Sequence, residues 1–355
     1  MSDTPKIRFG FLGAGSIVIY RHAIELSTNP YAELITVYDP ITKRAENLAE
    51  TYGMTIAKSE AEVLNDPTID AIVVGTPNSE HARLTIAALK AGKHVLCEKP
   101  MATTLKDAAA MIHTAEKTGK KLMMGHNQCL MPPHLKAKKL LQQKVIGDIM
   151  TFHSSFCHGG PEMWSQDKGP TTWFFKKEKA YVGSMGDLGV HKTYLLPWLF
   201  GSDIKEVGAF IDTKLKKDEK DQPITVDDNA VCILRFENGI TGQLTASWTY
   251  TAHGDNTTTL YGTKGQMILG GDDPNCQVRV LMNNGEGASY KVGVMGTNEH
   301  PVKSGIPDLF VDCILDDITP PFDGMKGYKA LAAVVACMES QAEKRIITVK
   351  NELPV

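Results

Sequence analysis

Oxidising an alcohol requires a base for the hydroxyl proton and a cation or hydrogen-bond donor for the developing alkoxide, and three residues of this sequence are of those types. Lys99 follows the short apolar run His94 to Cys97 and precedes Pro100. The proline ring confines the lysine's backbone to extended conformations, so its side chain is aimed rather than free. Asp187 and His191 are four residues apart in a segment of helical period, which puts both on one face within reach of a common ligand. An imidazole can take a proton near neutral pH, which makes His191 the candidate base. Taken alone, Lys99 also reads as a surface lysine in a loop, and the pair as a helix cap or a surface pair. The elements that carry these residues must decide.

The run from Lys6 to Leu12 reads as a strand. It ends in Gly13-Ala-Gly15-Ser-Ile-Val18 and passes into a helical stretch through Tyr20 and Glu25. A second strand-like run, Glu33 to Tyr38, ends in Asp39, and the helical segment Arg44 to Tyr52 closes at Gly53. Strand Ala71 to Val74, helix Glu80 to Ala91, strand His94 to Cys97, helix Leu105 to Thr118 and strand Lys121 to Met124 continue the alternation, which implies a parallel, doubly wound sheet. In such a sheet Gly13 permits the tight turn, Gly15 lets a pyrophosphate approach the backbone, and the helix N-terminus attracts its charge. Val18 stands where the dinucleotide fingerprint has Gly or Ala; its bulk must push the helix away or meet a smaller neighbour. Asp39 can accept hydrogen bonds from the adenosine ribose hydroxyls and repel a ribose phosphate, so NAD is expected, with NADP left open. From Asp148 onward the runs IMTFHSSF, EVGAFID, NAVCILRF, ITGQLTASWTY, TTTLYG, QMILG and QVRVLM predict an antiparallel sheet. Helices are expected at Asp187 to Phe200 and Met325 to Lys344.

The run Val74 to Pro100, VGTPNSEHARLTIAALKAGKHVLCEKP, resembles the Gfo/Idh/MocA family of nicotinamide-dependent oxidoreductases. GAGSIVIYRH, RAENLAETYG, GHN, IGDI, DLGVH, DDNAVCILRFENG and YGTKGQ extend the likeness over nearly the whole chain. The resemblance implies an α/β protein with an N-terminal Rossmann domain and a C-terminal α/β domain on a large, mostly antiparallel sheet, with the boundary near residue 125 (1–125 and 126–355). It implies a dehydrogenase acting on a secondary hydroxyl of a sugar, inositol or related polyol. A glycoside-cleaving or eliminating enzyme that oxidises its substrate transiently and a non-enzymatic NAD-binding regulator remain the alternatives. Lys99 and His191 become alkoxide stabiliser and general base, and Asp187 a substrate-hydroxyl ligand or a tuner of the base. The same likeness gives Gly13, Gly15, Ser16, Ile17, Asp39, Arg44, Thr76, Pro77, Asn78, His81, Glu98, Lys99 and Asn127 to the cofactor, with His81 equally readable as part of a helix start. Trp173, beside Phe174, either stacks on a sugar-like ring or fills the domain interface. Cys129, Tyr181, Val182 and Tyr194 depart from the family pattern on the substrate side, where a less charged, more apolar subsite is expected.

The 355 residues carry 38 Lys and Arg against 41 Asp and Glu, a balance that excludes a nucleic-acid or anionic-membrane partner. Lys214, Lys216 and Lys217 read as a solvated loop balanced by Asp218, Glu219 and Asp221. Seven scattered cysteines without CxxC spacing, and His153 and His158 five apart on a strand, indicate neither a disulfide framework nor a metal site and suit a reducing cytosol. No signal-like segment opens the chain and no apolar run reaches membrane length, so a soluble, cytoplasmic protein is expected, and the resemblance implies a homodimer or homotetramer. Ile240, Leu244, Ala246, Trp248 and Tyr250 mark a sheet face covered by helices or by a partner subunit.

Overall fold

The structure, a computed structural model, describes residues 5–271, 276–293 and 303–354; Met1–Thr4, part of the stretch read for a signal segment, lie outside these. Strands β1 (Ile7–Leu12), β2 (Ala32–Tyr38), β3 (Thr55–Ile56), β4 (Ala71–Val74), β5 (His94–Cys97) and β6 (Leu122–Met124) form one sheet in the order β3-β2-β1-β4-β5-β6. All its pairings are parallel. Helices α1 (Ala23–Ser27), α2 (Thr42–Tyr52), α3 (Glu60–Asn65), α4 (Asn78–Lys90) and α5 (Leu105–Thr118) connect them. The central strands read as apolar runs because both faces are covered: Phe9, Phe11, Leu12 and Ile72 to Val74 expose nothing. Each such side chain contributes about 1.5–3 kcal/mol on burial. Strand order reverses between β1 and β4. Ligands of such sheets sit outside the carboxyl ends there, where the Gly13, Thr76 and Lys99 loops emerge. Two-residue β3 and six-residue α3 were too short to show a period.

The second sheet contains β7 (Ile149–Cys157), β8 (Ile204–Asp212), β9 (Asn229–Phe236), β10 (Thr241–Ser247), β11 (Thr258–Gly262), β12 (Gly265–Leu269), β13 (Val278–Met282), β14 (Gly287–Tyr290) and β15 (Ile347–Thr348). Its order is β14-β13-β12-β11-β7-β10-β9-β8-β15, antiparallel except where β10 lies parallel to β7. Helices α6 (Pro132–Gln142), α7 (Lys177–Ala180), α8 (Val190–Phe200), α9 (Ile306–Leu315) and α10 (Gly324–Glu343) complete the chain. Leu244, Ala246 and Trp248 are fully buried. A Cβ on Gly189, in the helical turn before α8, would lie 3.4 Å from Ala246, so the chain's own helix covers this face. On the opposite face Gln243 pairs with Ile233, and Ile233 and Phe210 are 61% and 79% exposed.

The described chain forms two compact units, 5–127 with 303–328, and 128–271 and 276–293 with 329–353. In the first, α9 packs on β1 with Phe310 against Phe9, ring centroids 6.4 Å apart. Among the described residues no helix is long and apolar enough to cross a membrane.

Candidate active site

In the first unit β1 ends at a turn that demands glycine. Gly13 has φ +96°, and a Cβ there would stand 2.5 Å from Gly75 O. The bulk of Val18 is accommodated by the second of the two routes open to it, a smaller neighbour: at Gly75 a Cβ would meet Val18 Cγ2 at 2.4 Å. The helix that begins at Ser16 and Ile17 is wound as a π-helix over Val18–His22 before α1. Asp39 is buried and already engaged: Oδ2 accepts from Ala14 N and Oδ1 from Ile41 N, both at 2.8 Å. Its carboxylate thereby ties the glycine turn to the end of β2. Each oxygen can accept a further hydrogen bond, which leaves room for ribose hydroxyls. Arg44 lies in the first turn of α2; Pro77 caps α4, which opens on buried Asn78. Thr76 Oγ1 and Asn127 Oδ1 are buried without a partner among the described residues. Thr76 lies against the cramped Gly13 turn and Asn127 follows β6, and two such orphaned polar atoms beyond the carboxyl ends of the strands fit a dinucleotide whose nicotinamide end would supply their partners.

Lys99 leaves β5 inside a polar frame. Glu98 is buried; its Oε2 accepts from Lys99 N at 3.1 Å and its Oε1 from His22 Nε2 at 2.8 Å. Burial alone would raise the Glu98 carboxyl, but the hydrogen bond and charge of His22, with the Lys99 ammonium and N–H, hold it below the usual carboxylate range. On the other side His81, inside α4, sets Nδ1 2.8 Å from Pro100 O and Nε2 2.9 Å from Thr76 O. Burial pushes its pKa down against those two carbonyls, and a neutral ring donates to one of them.

In the second unit Asp187 and His191 lie on one continuous helix. Its first turn, Met185–Gly189, is π-helical and not the α-helix expected, and α8 follows. π-turns of this kind recur at functional sites. Asp227, which carried no role in the sequence, holds the start of this helix: Oδ1 accepts from Gly183 N at 2.7 Å, and Oδ2 from Met185 N at 2.7 Å and Ser184 Oγ at 2.9 Å. Two adjacent acids ahead of the NAVCILRF strand were the available signal. Trp248 Nε1 donates to Asp187 Oδ2 at 3.2 Å, and the His191 ring packs 5.6 Å from that of Phe156. Aromatic rings continue from there: Phe156 to His158, His158 to Trp164, Trp164 to Phe174, and Phe174 to Trp248, at 5.4–6.5 Å. Trp173 stacks on Phe174 at 3.9 Å, so one of its faces packs internally.

Lys192, the next residue after His191, was not singled out in the sequence. It is fully buried, donates to Thr258 Oγ1 at 3.3 Å, and burial lowers its pKa to about 7. A single charge in the run VHKTYLLPWLF was the signal. Among the departures, Cys129, Val182 and Tyr194 are buried, while exposed Tyr181 takes φ 70°, the left-handed backbone that glycine would adopt freely. The solvated reading of Lys216 is corrected: its buried Nζ bonds Gly159 O and half-buried Glu162 Oε1, while Lys214 and Lys217 pair at the surface with Asp212 and Asp221.

Two family models match the chain. Residues 7–126 fit that of an oxidoreductase family with an NAD-binding Rossmann fold, and residues 134–268 that of the GFO/IDH/MocA C-terminal domain. Levoglucosan dehydrogenase from Pseudarthrobacter phenanthrenivorans is 29% identical over 262 residues, which are 68% of this chain and 65% of that protein. Myo-inositol 2-dehydrogenase from Thermotoga maritima is 26% identical over 348 residues, 97% of this chain and 99% of that protein. This chain therefore spans just under two thirds of the first relative and nearly all of the second. Among solved structures, aldose-aldose oxidoreductase from Caulobacter crescentus, complexed with glycerol, superposes with TM-score 0.82 at 25% identity, covering 97% of this chain and 100% of that one.

Proposed function

This chain belongs to the Gfo/Idh/MocA oxidoreductase family, and from that membership we propose that it transfers a hydride between a secondary hydroxyl of a sugar, inositol or related polyol and NAD(P). Bound NAD supplies the hydride acceptor. Gly13, Gly15, Ser16 and Ile17 hold its pyrophosphate at a helix start, and Asp39 with Arg44 binds the adenosine ribose. Thr76, Pro77, Asn78 and Asn127 serve the nicotinamide end, and His81 and Glu98, whose polar atoms are taken up by Thr76 O, Pro100 O, His22 and Lys99 N, shape it from behind. His191 takes the hydroxyl proton, Lys99 stabilises the alkoxide, and Asp187, oriented by the Trp248 indole, binds a substrate hydroxyl.

The observation that carries this reading is the joint presentation of Asp187 and His191 by one helix whose start is fixed by the buried Asp227 carboxylate. The rings of Phe156, Trp164 and Phe174 beside that pair, backed by buried Trp248, suit the apolar C–H face of a sugar or inositol ring, and Trp173 joins them. Phe210 and Ile233 on the open sheet face support a homodimer or homotetramer, and seven free thiols support a cytoplasmic setting. The test is NADH formation across a panel of sugars, inositols, amino sugars and sugar nucleotides, with NAD and NADP in turn. Lys99→Met and His191→Ala should each reduce turnover by roughly 10² to 10⁴ with cofactor affinity intact. Unchanged turnover in both variants refutes the assignment, and product without net NADH points to transient oxidation.

A further inference from the structure

We propose that His22 is a positioning residue for Lys99, acting through Glu98; this rests on the role given to Lys99 above. His22 lies in the π-helical turn that follows the glycine loop, buried, and its Nε2 holds Glu98 Oε1 at 2.8 Å. The second carboxylate oxygen receives the Lys99 N–H. Glu98 has no other place to go. A Cβ on Gly125 would lie 2.5 Å from Oε1 and 3.2 Å from Oε2, so the carboxylate rests against bare backbone on one side and an imidazole on the other. At the far end of the same tripeptide the Pro100 carbonyl lies 2.8 Å from His81 Nδ1. The Glu98-Lys99-Pro100 backbone is therefore pinned on both sides of the lysine, by a histidine from the π-turn through a carboxylate and by a histidine from α4 directly.

A lysine side chain has four rotatable methylenes and considerable rotamer freedom, so its ammonium can be placed reproducibly only if its Cα and backbone direction are fixed. Misplacing a catalytic group by about 1 Å can cost roughly 10²-fold in rate. Removing the imidazole frees the Glu98 carboxylate to swing and releases the Lys99 N–H. The cofactor contacts of the glycine turn are left in place. The effect must fall on turnover and not on cofactor affinity, a division that general loss of structure would not produce.

The test compares His22→Leu, His22→Gln, Gly125→Ala and Lys99→Met, with NAD affinity by calorimetry and kcat and KM on whichever panel substrate the wild type oxidises. His22→Leu should lower kcat about 10²-fold with NAD affinity and KM within about threefold. Glutamine, which keeps an N–H for Glu98, should restore most of the loss. Gly125→Ala, which deletes no polar group and presses on the carboxylate from the opposite side, should reproduce it. Wild-type-like kcat in His22→Leu and Gly125→Ala while Lys99→Met is inactive overturns the proposal and leaves the Lys99 role standing; an active Lys99→Met overturns both. If the leucine variant does not fold, the glutamine and alanine variants decide. A readout free of substrate accompanies these: in protein with ¹³C-dimethylated lysines, the Lys99 resonance, assigned by its loss in Lys99→Arg, should shift in His22→Leu and Gly125→Ala. An unmoved resonance overturns the proposal.

Discussion

Replacing Lys192 by methionine should make the second unit more stable at neutral pH, although it deletes a hydrogen bond. Lys192 exposes nothing, and burial lowers its pKa from the ordinary 10.5 to about 7, with Asp255 and Cys157 opposing the shift. The folded-state value lies below the unfolded one, so between pH 7 and 10.5 the unfolded chain binds a proton that the folded chain does not. Stability of the wild type therefore rises with pH across that window, by about 1.36 kcal/mol per unit. At pH 7 the charge-related cost is roughly 4 kcal/mol. Methionine keeps the length of the side chain and gives up one long hydrogen bond to Thr258 Oγ1, worth about 1 kcal/mol. Thr258 keeps its 2.7 Å contact with Ser154 Oγ. The expected net gain is about 3 kcal/mol at pH 7. It should shrink by about 3 kcal/mol between pH 7.5 and about pH 9.5, because only the wild type gains over that range. The four tryptophans, Trp164, Trp173, Trp198 and Trp248, all lie in the second unit, so urea unfolding followed by their fluorescence reports on the unit that holds Lys192. Other titrating groups are common to both proteins and cancel in the difference. A difference that does not vary with pH, or a methionine variant less stable at pH 7.5, would refute the reasoning and show that Lys192 is charged and well paired in the fold.

Asp39→Ser should raise the NAD dissociation constant by about 10- to 100-fold without a matching gain for NADP, because the carboxylate also holds Ala14 N and Ile41 N and the turn loosens with it. Calorimetry with both cofactors checks this, and a clean switch to NADP would contradict it. Burial lowers His126 and His134 from 6.5 to about 3, so each stays neutral in the fold while the unfolded chain takes up protons below pH 6.5. Stability should be flat in these groups above pH 6.5 and fall by about 2 kcal/mol for each on lowering the pH to about 5. In the second unit His134→Leu should remove one such slope from the tryptophan-detected transition, despite losing the bond to Gln128 O. An unaltered slope would refute the neutral assignment.

Much of the first sheet was legible because its signals are local. Strands covered on both faces read as apolar runs, and Gly53 and Gly119 end their helices in left-handed backbone. The seven strand-like runs of the second half are strands for the same reason, and in β9, β11 and β12 alternation marks the buried side. What the sequence could not reveal depends on meetings between distant residues. Val18 was recognised as bulk in need of space, but its answer, Gly75, is visible only when two loops are brought together. Asp39 was legible as an acid at a strand end, whereas its hold on Ala14 N was not. The π-turns at Val18–His22 and Met185–Gly189 carry no period of their own.

The residues that were missed share one physical character. Asp227, His22 and Lys192 are polar groups wholly enclosed by the fold, and each lies next to a group proposed for chemistry: Asp227 at the start of the Asp187 and His191 helix, His22 one carboxylate from Lys99, Lys192 adjoining His191. Enclosing such groups costs stability unless every bond is made, so a core built only for folding would use apolar residues in their place. Lys99 and Asp187 are each held by a buried group, Glu98 for the lysine backbone, with His81 on the adjoining Pro100 carbonyl, and the Trp248 indole for the aspartate. Positioning of that kind acts on transition-state geometry and not on ground-state affinity. Substitutions at the buried partners should therefore appear in kcat with little change in cofactor binding, whereas Asp39, which ties the glycine turn itself, should appear in cofactor binding first.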